Sequence, residues 1–349
     1  MLQGSQDRFP ILDTLFPPFV PWNNCSFSSV ETRYGWAFML CLKDRLQGKW
    51  KIPVAFAALV LQWATQASSW AVAPKNTAPK PTSLILVDKK TNQLHVASYV
   101  DGVYHIDKTY HATLGKVKGD KEQEGDLKTP EGIYTFNAKI LPPALKPKFG
   151  AMAFHVNYPN TYDELAGRTG TNIMLHATNE PDRLKQDYDS EGCVVVRNEE
   201  ISEIQNSVKL GLTPIMIFSD LTDEYLKPGE DAALKGFFEN WIRAWESKDI
   251  DGYVGGYHSS FSARGMTKTQ WRTYKSSLND RYATIKINPE NVRYYKHPKY
   301  SMVTFTQNYR STLKRGGVGH QSRGTKILFI AEEAGQPRII AETFTDRMW

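Results

Sequence analysis

His176-Ala177-Thr178 and, beginning 13 residues after His176, Asp189-Ser190-Glu191-Gly192-Cys193-Val194-Val195-Val196-Arg197-Asn198 decide how this chain is read. His176 ends one apolar run, Asn172-Ile173-Met174-Leu175, and Cys193 opens another, Val194-Val195-Val196. Short runs of this kind read as strands, and two adjacent strands would present an imidazole and a thiol side by side. A thiol becomes a useful nucleophile when a nearby imidazole takes its proton. Gly192 leaves room for substrate and frees backbone N–H groups to face a developing oxyanion. A buried, inert cysteine is the commoner use of this residue, and the pair alone does not exclude it.

Outward from this pair, short β-rich runs alternate with turns. Residues 84–88 and 93–100 flank the turn-forming Lys89-Lys90-Thr91-Asn92. Asp101-Gly102 is a hairpin signal, because glycine tolerates the positive φ of a type I′ turn. Residues 132–136, 153–157, 172–176, 193–196 and 214–218 read as further strands. One helix interrupts them: Asn198 is its expected cap, Ile201, Ile204 and Val208 its buried stripe, and Gly211 its end. Residues 84–226 are therefore expected to form a mainly β domain.

The chain breaks at Lys227-Pro228-Gly229. Residues 232–247 then place Leu234, Phe237, Phe238, Trp241, Ile242 and Trp245 on one broad helical face, and 268–278 look helical too. Strand-like runs follow at 284–295, 300–312, 325–333 and 337–344. Helices before a run of antiparallel strands give an α+β second domain over 230–349.

The length of 349 residues suits two domains. With 41% hydrophobic and 23% charged residues the chain is neither disordered nor collagen-like. A net charge of +6 is too mild to require nucleic acid as a partner. The excess is local: residues 74–229 carry −3 and residues 230–349 carry +7. That asymmetry sets an anionic ligand on the second domain against plain solubility. No stretch reaches the roughly 20 apolar residues of a spanning helix, so the chain is not expected to cross a membrane.

Residues 52–64, IPVAFAALVLQWA, are preceded by Lys43, Arg45, Lys49 and Lys51 and followed by Ala71-Val72-Ala73. A basic flank, a short apolar run and a small-residue cleavage site, in that order, define an export leader. The expectation is a cleavable signal peptide over 39–73, opening at Met39. Residues 1–38 then fall outside the mature protein, and 74–83 are a linker. Cys25 and Cys41 are lost with the leader, so Cys193 is a single thiol with no internal disulfide open to it.

The constellation of His176, Ser190, Gly192 and Cys193, with Asn198 beyond, resembles the L,D-transpeptidase catalytic domain, a family of cysteine acyltransferases of bacterial cell walls. Residues 125–134, GDLKTPEGIY, resemble the family's Thr-Pro-x-Gly segment. The likeness covers about residues 83–220 and implies a β-sandwich with Cys193 as nucleophile and His176 as base and then acid. It also implies that the Ala177 carbonyl orients the imidazole, with N–H groups at Gly192 and Cys193 holding the oxyanion. The chain departs from the pattern at Glu191, where many members have His, and at Val195, where many have Arg; the nearest arginine is Arg197. Ser190, Glu191 and Arg197 are thus the candidates for bordering the substrate groove.

The second region resembles the nuclear-transport-factor-2-like (NTF2-like) fold, through FFENWIRAWESKD, Trp271 and the closing strands. The pairing of the two resembles the cell-shape L,D-carboxypeptidases of helical Gram-negative bacteria. It implies a periplasmic enzyme that trims D-alanine from peptidoglycan tetrapeptide stems. L,D-transpeptidation, which forms cross-links or attaches proteins to the wall, is the alternative, and a non-catalytic wall-binding protein the second. No metal or organic cofactor is implied: the other histidines show neither H-E-x-x-H nor any Cys-His spacing. Papain-like enzymes place Cys before His, and sortases separate His from Cys by far more than the 17 residues here.

Overall fold

The computed structural model describes residues 82–100, 103–227, 229 and 231–346. The expected leader, the segment upstream of it and the Asp101-Gly102 turn lie outside the described residues.

Ten strands build the first domain: β1 Thr82–Asp88, β2 Gln93–Val100, β3 Val103–His111, β4 Leu114–Gly115, β5 Gly132–Ile140, β6 Ala153–Val156, β7 Met174–His176, β8 Tyr188–Ser190, β9 Val194–Val195 and β10 Pro214–Phe218. Eight of them join in the order β3-β2-β1-β10-β5-β6-β7-β9. The central strands β1 and β10 run parallel and are apolar almost throughout, as strands covered on both faces must be.

Strand β5 is shared. Its first half pairs with β10 and its second half with β6, with an irregularity between Phe136 and Ala138. A strand that changes partners at a bulge turns a sheet corner. The strands therefore fold over one core as a sandwich. Ile85, Val87, Ile215 and Ile217 on one wing meet Phe154, Val156, Leu175 and Val194 on the other.

Helices α1 (Thr161–Leu165) and α2 (Asn198–Ile204) connect these strands. Two expectations about α2 are corrected. Its cap residue is Arg197, whose N–H donates to Glu200 Oε2 at 2.8 Å, because the Asn198 side chain is drawn away to bridge loops near His176. The helix also passes into a 3₁₀ turn after Ile204, well before Gly211. Gly211 does adopt φ 72°, but its N–H donates to the Phe136 carbonyl at 2.7 Å, so it turns the chain into β10.

After α3 (Asp223–Leu226), the second domain opens with α4 (Ala232–Ser247), α5 (Ile250–Gly255) and α6 (Lys268–Arg281), with the small hairpin β11 Ser262–Ala263 and β12 Met266–Thr267 before α6. Asp231 caps α4, its Oδ1 accepting the Leu234 N–H at 2.9 Å. Strands β13 Tyr282–Lys296, β14 Ser301–Leu313, β15 Val318–Glu333 and β16 Gln336–Thr345 form one antiparallel sheet in chain order. One face packs on the α4 stripe, with Phe238, Trp241 and Trp245 against Ile287, Phe305 and Leu328. This is the expected α+β domain.

The other face of this sheet meets the first domain. Tyr295, Met302 and Phe329 pack on Leu84, Leu86, Ile133, Met216 and Phe218. The turn between β13 and β14 adds polar ties. Tyr300 Oη accepts the Ile133 N–H at 2.8 Å and donates to the Ile133 carbonyl at 2.9 Å. His297 Nε2 donates to the Ile217 carbonyl at 2.9 Å. Lys299 Nζ reaches Asp120 Oδ2 and the Glu131 carbonyl, each at 2.5 Å. The two domains thus share a core.

Candidate active site

His176 closes β7, and Cys193 leads into β9 beside it. The two strands run parallel in the register Leu175–Val194 and His176–Val195. Because side chains alternate along a strand, Cys193 projects to the side of Val195 and so to the side of His176. Both are fitted to one apolar floor. Cys193 packs with Phe149 on Leu145, Ala153 and Met174, and the Phe149 ring meets the imidazole edge-on at 4.8 Å.

His176 is 2% exposed, and its Nδ1 lies 2.5 Å from the Ala177 carbonyl. A carbonyl only accepts, so Nδ1 carries the proton and Nε2 is left with its lone pair. Burial pulls the imidazole pKa down to about 4, against the raising effect of the Ala177 carbonyl. Burial likewise pushes the Cys193 thiol up to about 11, with the backbone at Met174 opposing it and Glu191 adding to it. Sγ donates to the Asn172 carbonyl at 3.6 Å. At neutral pH the pair is a neutral thiol beside a neutral imidazole.

The turn before Cys193 is tightly made. Ser190 Oγ donates to the Cys193 carbonyl at 2.6 Å and accepts the Gly192 N–H at 3.1 Å. Two sequence-based expectations change accordingly. Ser190 is buried and closes the turn, so it does not border a groove. The Gly192 N–H is already used by Ser190, which leaves Cys193 as the residue whose N–H can meet an oxyanion. Gly192 adopts φ 121°, and a Cβ there would stand 2.7 Å from the Lys128 carbonyl oxygen. Glu191 is exposed beside the thiol. Arg197 is exposed and turned to Glu200, 3.3 Å away, so it belongs to the helix end and not to the groove.

Sequence reasoning missed Lys148, Phe149 and Arg183. Lys148 and Arg183 both act on the thiol and on the imidazole, lowering the pKa of each. Arg183 is fixed by Asp189, with Nε 2.7 Å from Oδ2. That ion pair, just before the Ser-x-Gly-Cys turn, was the one available signal. Asn198 braces the same region: Oδ1 accepts the Ala151 N–H at 2.7 Å, and Nδ2 donates to the Thr178 carbonyl at 3.2 Å. The loop ahead of β5 backs the turn through Lys128 and is itself pinned by Lys121 on Asp126 at 2.7 Å. Among the described residues no three metal-ligating side chains cluster.

The YkuD family, the L,D-transpeptidase catalytic domain, matches residues 82–217. The C-terminal NTF2-like domain of Cds6 matches residues 233–343. Bd1075 of Bdellovibrio bacteriovorus is a solved structure 32% identical to the chain; the match covers 75% of this chain and 91% of that one, with a TM-score of 0.63. The chain belongs to the YkuD L,D-transpeptidase family. A second similar solved structure is that of the helical cell shape determining protein Pgp2 from Campylobacter jejuni. It is 25% identical over 81% of this chain and 98% of that one, with a TM-score of 0.62. YafK of Escherichia coli K12, assigned by its name to the L,D-transpeptidases, is 29% identical over 132 residues. The chain spans about half, 47%, of the length of that curated relative.

Two cavities lie away from Cys193. One, of about 540 Å³, opens from the second domain and is lined by Trp245, Tyr253, Trp271, Lys275, Lys326 and Glu342 among others. The other, of about 430 Å³, runs between the two domains. No helix among the described residues is long and apolar enough to cross a membrane.

Proposed function

We propose that this chain is an exported L,D-carboxypeptidase of the bacterial cell wall, removing the terminal D-alanine of peptidoglycan tetrapeptide stems to leave tripeptides. The observation that carries this reading is the imidazole whose tautomer is fixed by Ala177, set beside the one thiol of the described residues in a YkuD fold. The likeness to a helical cell shape determining protein over both domains supports the cell-wall role. The basic, apolar and small-residue order of residues 43–73 supports export to the periplasm.

In the resting site both groups are neutral, so the proton moves during attack. Cys193 Sγ bonds to the carbonyl carbon of the L-centre of meso-diaminopimelate while His176 Nε2 takes the thiol proton. The carbonyl oxygen becomes an oxyanion and meets the Cys193 N–H, a contact worth ~3 kcal/mol. Collapse breaks the amide bond, and D-alanine leaves with the proton from His176. A water molecule, deprotonated by the same imidazole, then opens the thioester. Lys148 and Arg183 favour the thiolate as it forms and suit a substrate carboxylate beside the scissile bond. The net +7 of residues 230–349 suits anionic wall polymer held by the second domain.

The test is digestion of purified tetrapeptide muropeptides followed by mass analysis, with Cys193→Ser as control. Tripeptide alone, absent in the control, is the expected result. Dimers would mean transpeptidation. No product and no labelling of Cys193 by a carbapenem would mean a non-catalytic protein.

A further inference from the structure

The strand that leads to the nucleophile also carries a cation. Asp189 is fixed by its own N–H, which donates to Thr113 Oγ1 at 3.1 Å. It holds Arg183 by two bonds, Nε to Oδ2 at 2.7 Å and NH2 to the Asp189 carbonyl at 3.0 Å. Arg183 stands in the 3₁₀ turn Pro181–Lys185 and Lys148 in the 3₁₀ turn Pro147–Phe149. Asn179 ties the two turns together, its Nδ2 donating to the Pro147 carbonyl at 2.8 Å. Each cation acts on the Cys193 thiol and on the His176 imidazole, and on both groups Arg183 has the larger effect.

Asp189 does not exhaust this guanidinium. Of its five N–H donors, two are taken by Asp189, and NH1 forms no hydrogen bond among the described residues. The Glu180 carboxylate, 3.9 Å from Nε, stands beyond hydrogen-bond reach. Held along one edge, the fork keeps its other edge in a fixed direction, which suits a planar carboxylate. Lys148 is built otherwise. It is exposed, with Nζ 5.0 Å from the centre of the Phe149 ring, a point charge on a flexible stem.

In the proposed reaction the leaving D-alanine brings a negative charge to this place. Its α-carboxylate is three bonds from the carbon that Sγ attacks, within about 4 Å of it. The thiol and imidazole are neutral and Glu191 is a carboxylate, so that charge needs a cation beside it. A fourth residue whose carboxyl is tied up in an amide brings no such charge.

We propose that Arg183 reads the free carboxylate of the leaving residue, so that the enzyme trims only stems that end at their fourth residue. Stems in which that residue is extended, or cross-linked through its carboxyl, are spared. This rests on the carboxypeptidase reading and names the residue that confines it to chain ends.

The test compares two soluble tetrapeptide muropeptides, one ending in D-alanine and one in D-alaninamide, by kcat/KM for release of the last residue. The parent should prefer the acid at least fiftyfold. Arg183→Gln should lose at least tenfold on the acid and less than threefold on the amide. Arg183→Lys, which keeps the charge without the fork, should fall between the two in its preference. Lys148→Gln should slow both substrates alike. An equal loss on both substrates in the Arg183 variants would mean that Arg183 only braces the turn through Asp189 or favours the thiolate, and overturns the proposal. A parent that releases D-alaninamide as readily as D-alanine overturns it alone, with no variant needed. A parent that digests neither substrate overturns the carboxypeptidase reading, and this proposal with it.

Discussion

At the scale of single residues, the active pair is governed by burial. A thiol with its pKa near 11 is almost wholly protonated at neutral pH, and its thiolate fraction grows about tenfold per pH unit below that value. The rate of Cys193 alkylation by a small reactive probe should therefore keep climbing from pH 7 to pH 10. A plateau beginning near pH 5 would reveal a preformed thiolate–imidazolium pair and overturn the neutral resting state. His176→Gln should abolish D-alanine release yet leave labelling at pH 10 within a few-fold of the parent, where the thiol ionises without help. Lys275 shows the same physics with the opposite charge. Its Nζ stands 4.5 Å from the Trp245 ring centre and 4.6 Å from that of Trp271, and burial lowers its pKa to about 7. The unfolded chain, with its lysine near 10.5, binds more protons between pH 7 and 10.5, so this residue makes stability rise with pH across that window. Lys275→Met should raise the melting temperature at pH 7 and flatten the rise seen toward pH 10. An unchanged slope in thermal scans would refute it.

At the scale of elements, the turn from Ser190 to Cys193 is the most demanding piece of the site. Gly192→Ala puts a side chain both at φ 121° and against the Lys128 carbonyl. We expect a loss of about 1–3 kcal/mol in stability and at least a tenfold loss of tripeptide release, measured by thermal unfolding and product assay. Activity equal to the parent would show that the turn tolerates rearrangement. Much at this scale was legible in the sequence. The continuous apolar runs of β1 and β10, the turn residues 89–92 and the aromatic stripe of α4 each follow from periodicity and local propensity. So did the Cys193–His176 pair, because each residue ends or begins an apolar run. What stayed hidden depends on contacts distant in sequence. The Asn198 side chain does not cap α2 because Ala151 and Thr178 compete for it. Ser190 reads as a groove residue until its hydroxyl is seen closing the turn. Phe149 and Lys148 lie far upstream of the motif, and nothing local announces that Pro147–Phe149 folds back onto His176.

At the scale of the whole molecule, the break at Lys227-Pro228-Gly229 marks the boundary between two domains, and the structure joins them through one shared core. Tyr300 is the clearest witness. Its hydroxyl satisfies both the N–H and the carbonyl of Ile133 and takes a third bond from Asn160 at 2.9 Å. Tyr300→Phe strands the buried Ile133 N–H, at a cost of about 1–3 kcal/mol, while the Ile133 carbonyl keeps its bond from Asn160 Nδ2 at 3.1 Å. The variant should still unfold in one transition, at a lower midpoint, because both domains melt together. Two separate calorimetric peaks in the parent protein would contradict a common core.

The tie between Lys299 and Asp120 reaches further than the interface. Asp120 lies in the loop ahead of β5, and it accepts the Glu131 N–H at 2.8 Å as well as an ion pair from Arg168. Further along, the same loop presents the Lys128 carbonyl that closes over Gly192. A residue of the C-terminal domain is thus part of the scaffold that backs the catalytic turn. Recombination that exchanged this C-terminal domain for another would carry away a support of the nucleophile along with the accessory module. Chimeras that join the first domain to a foreign partner would have to keep an equivalent of Lys299 and Tyr300, so lineages of such proteins should inherit the two halves together and not as interchangeable parts.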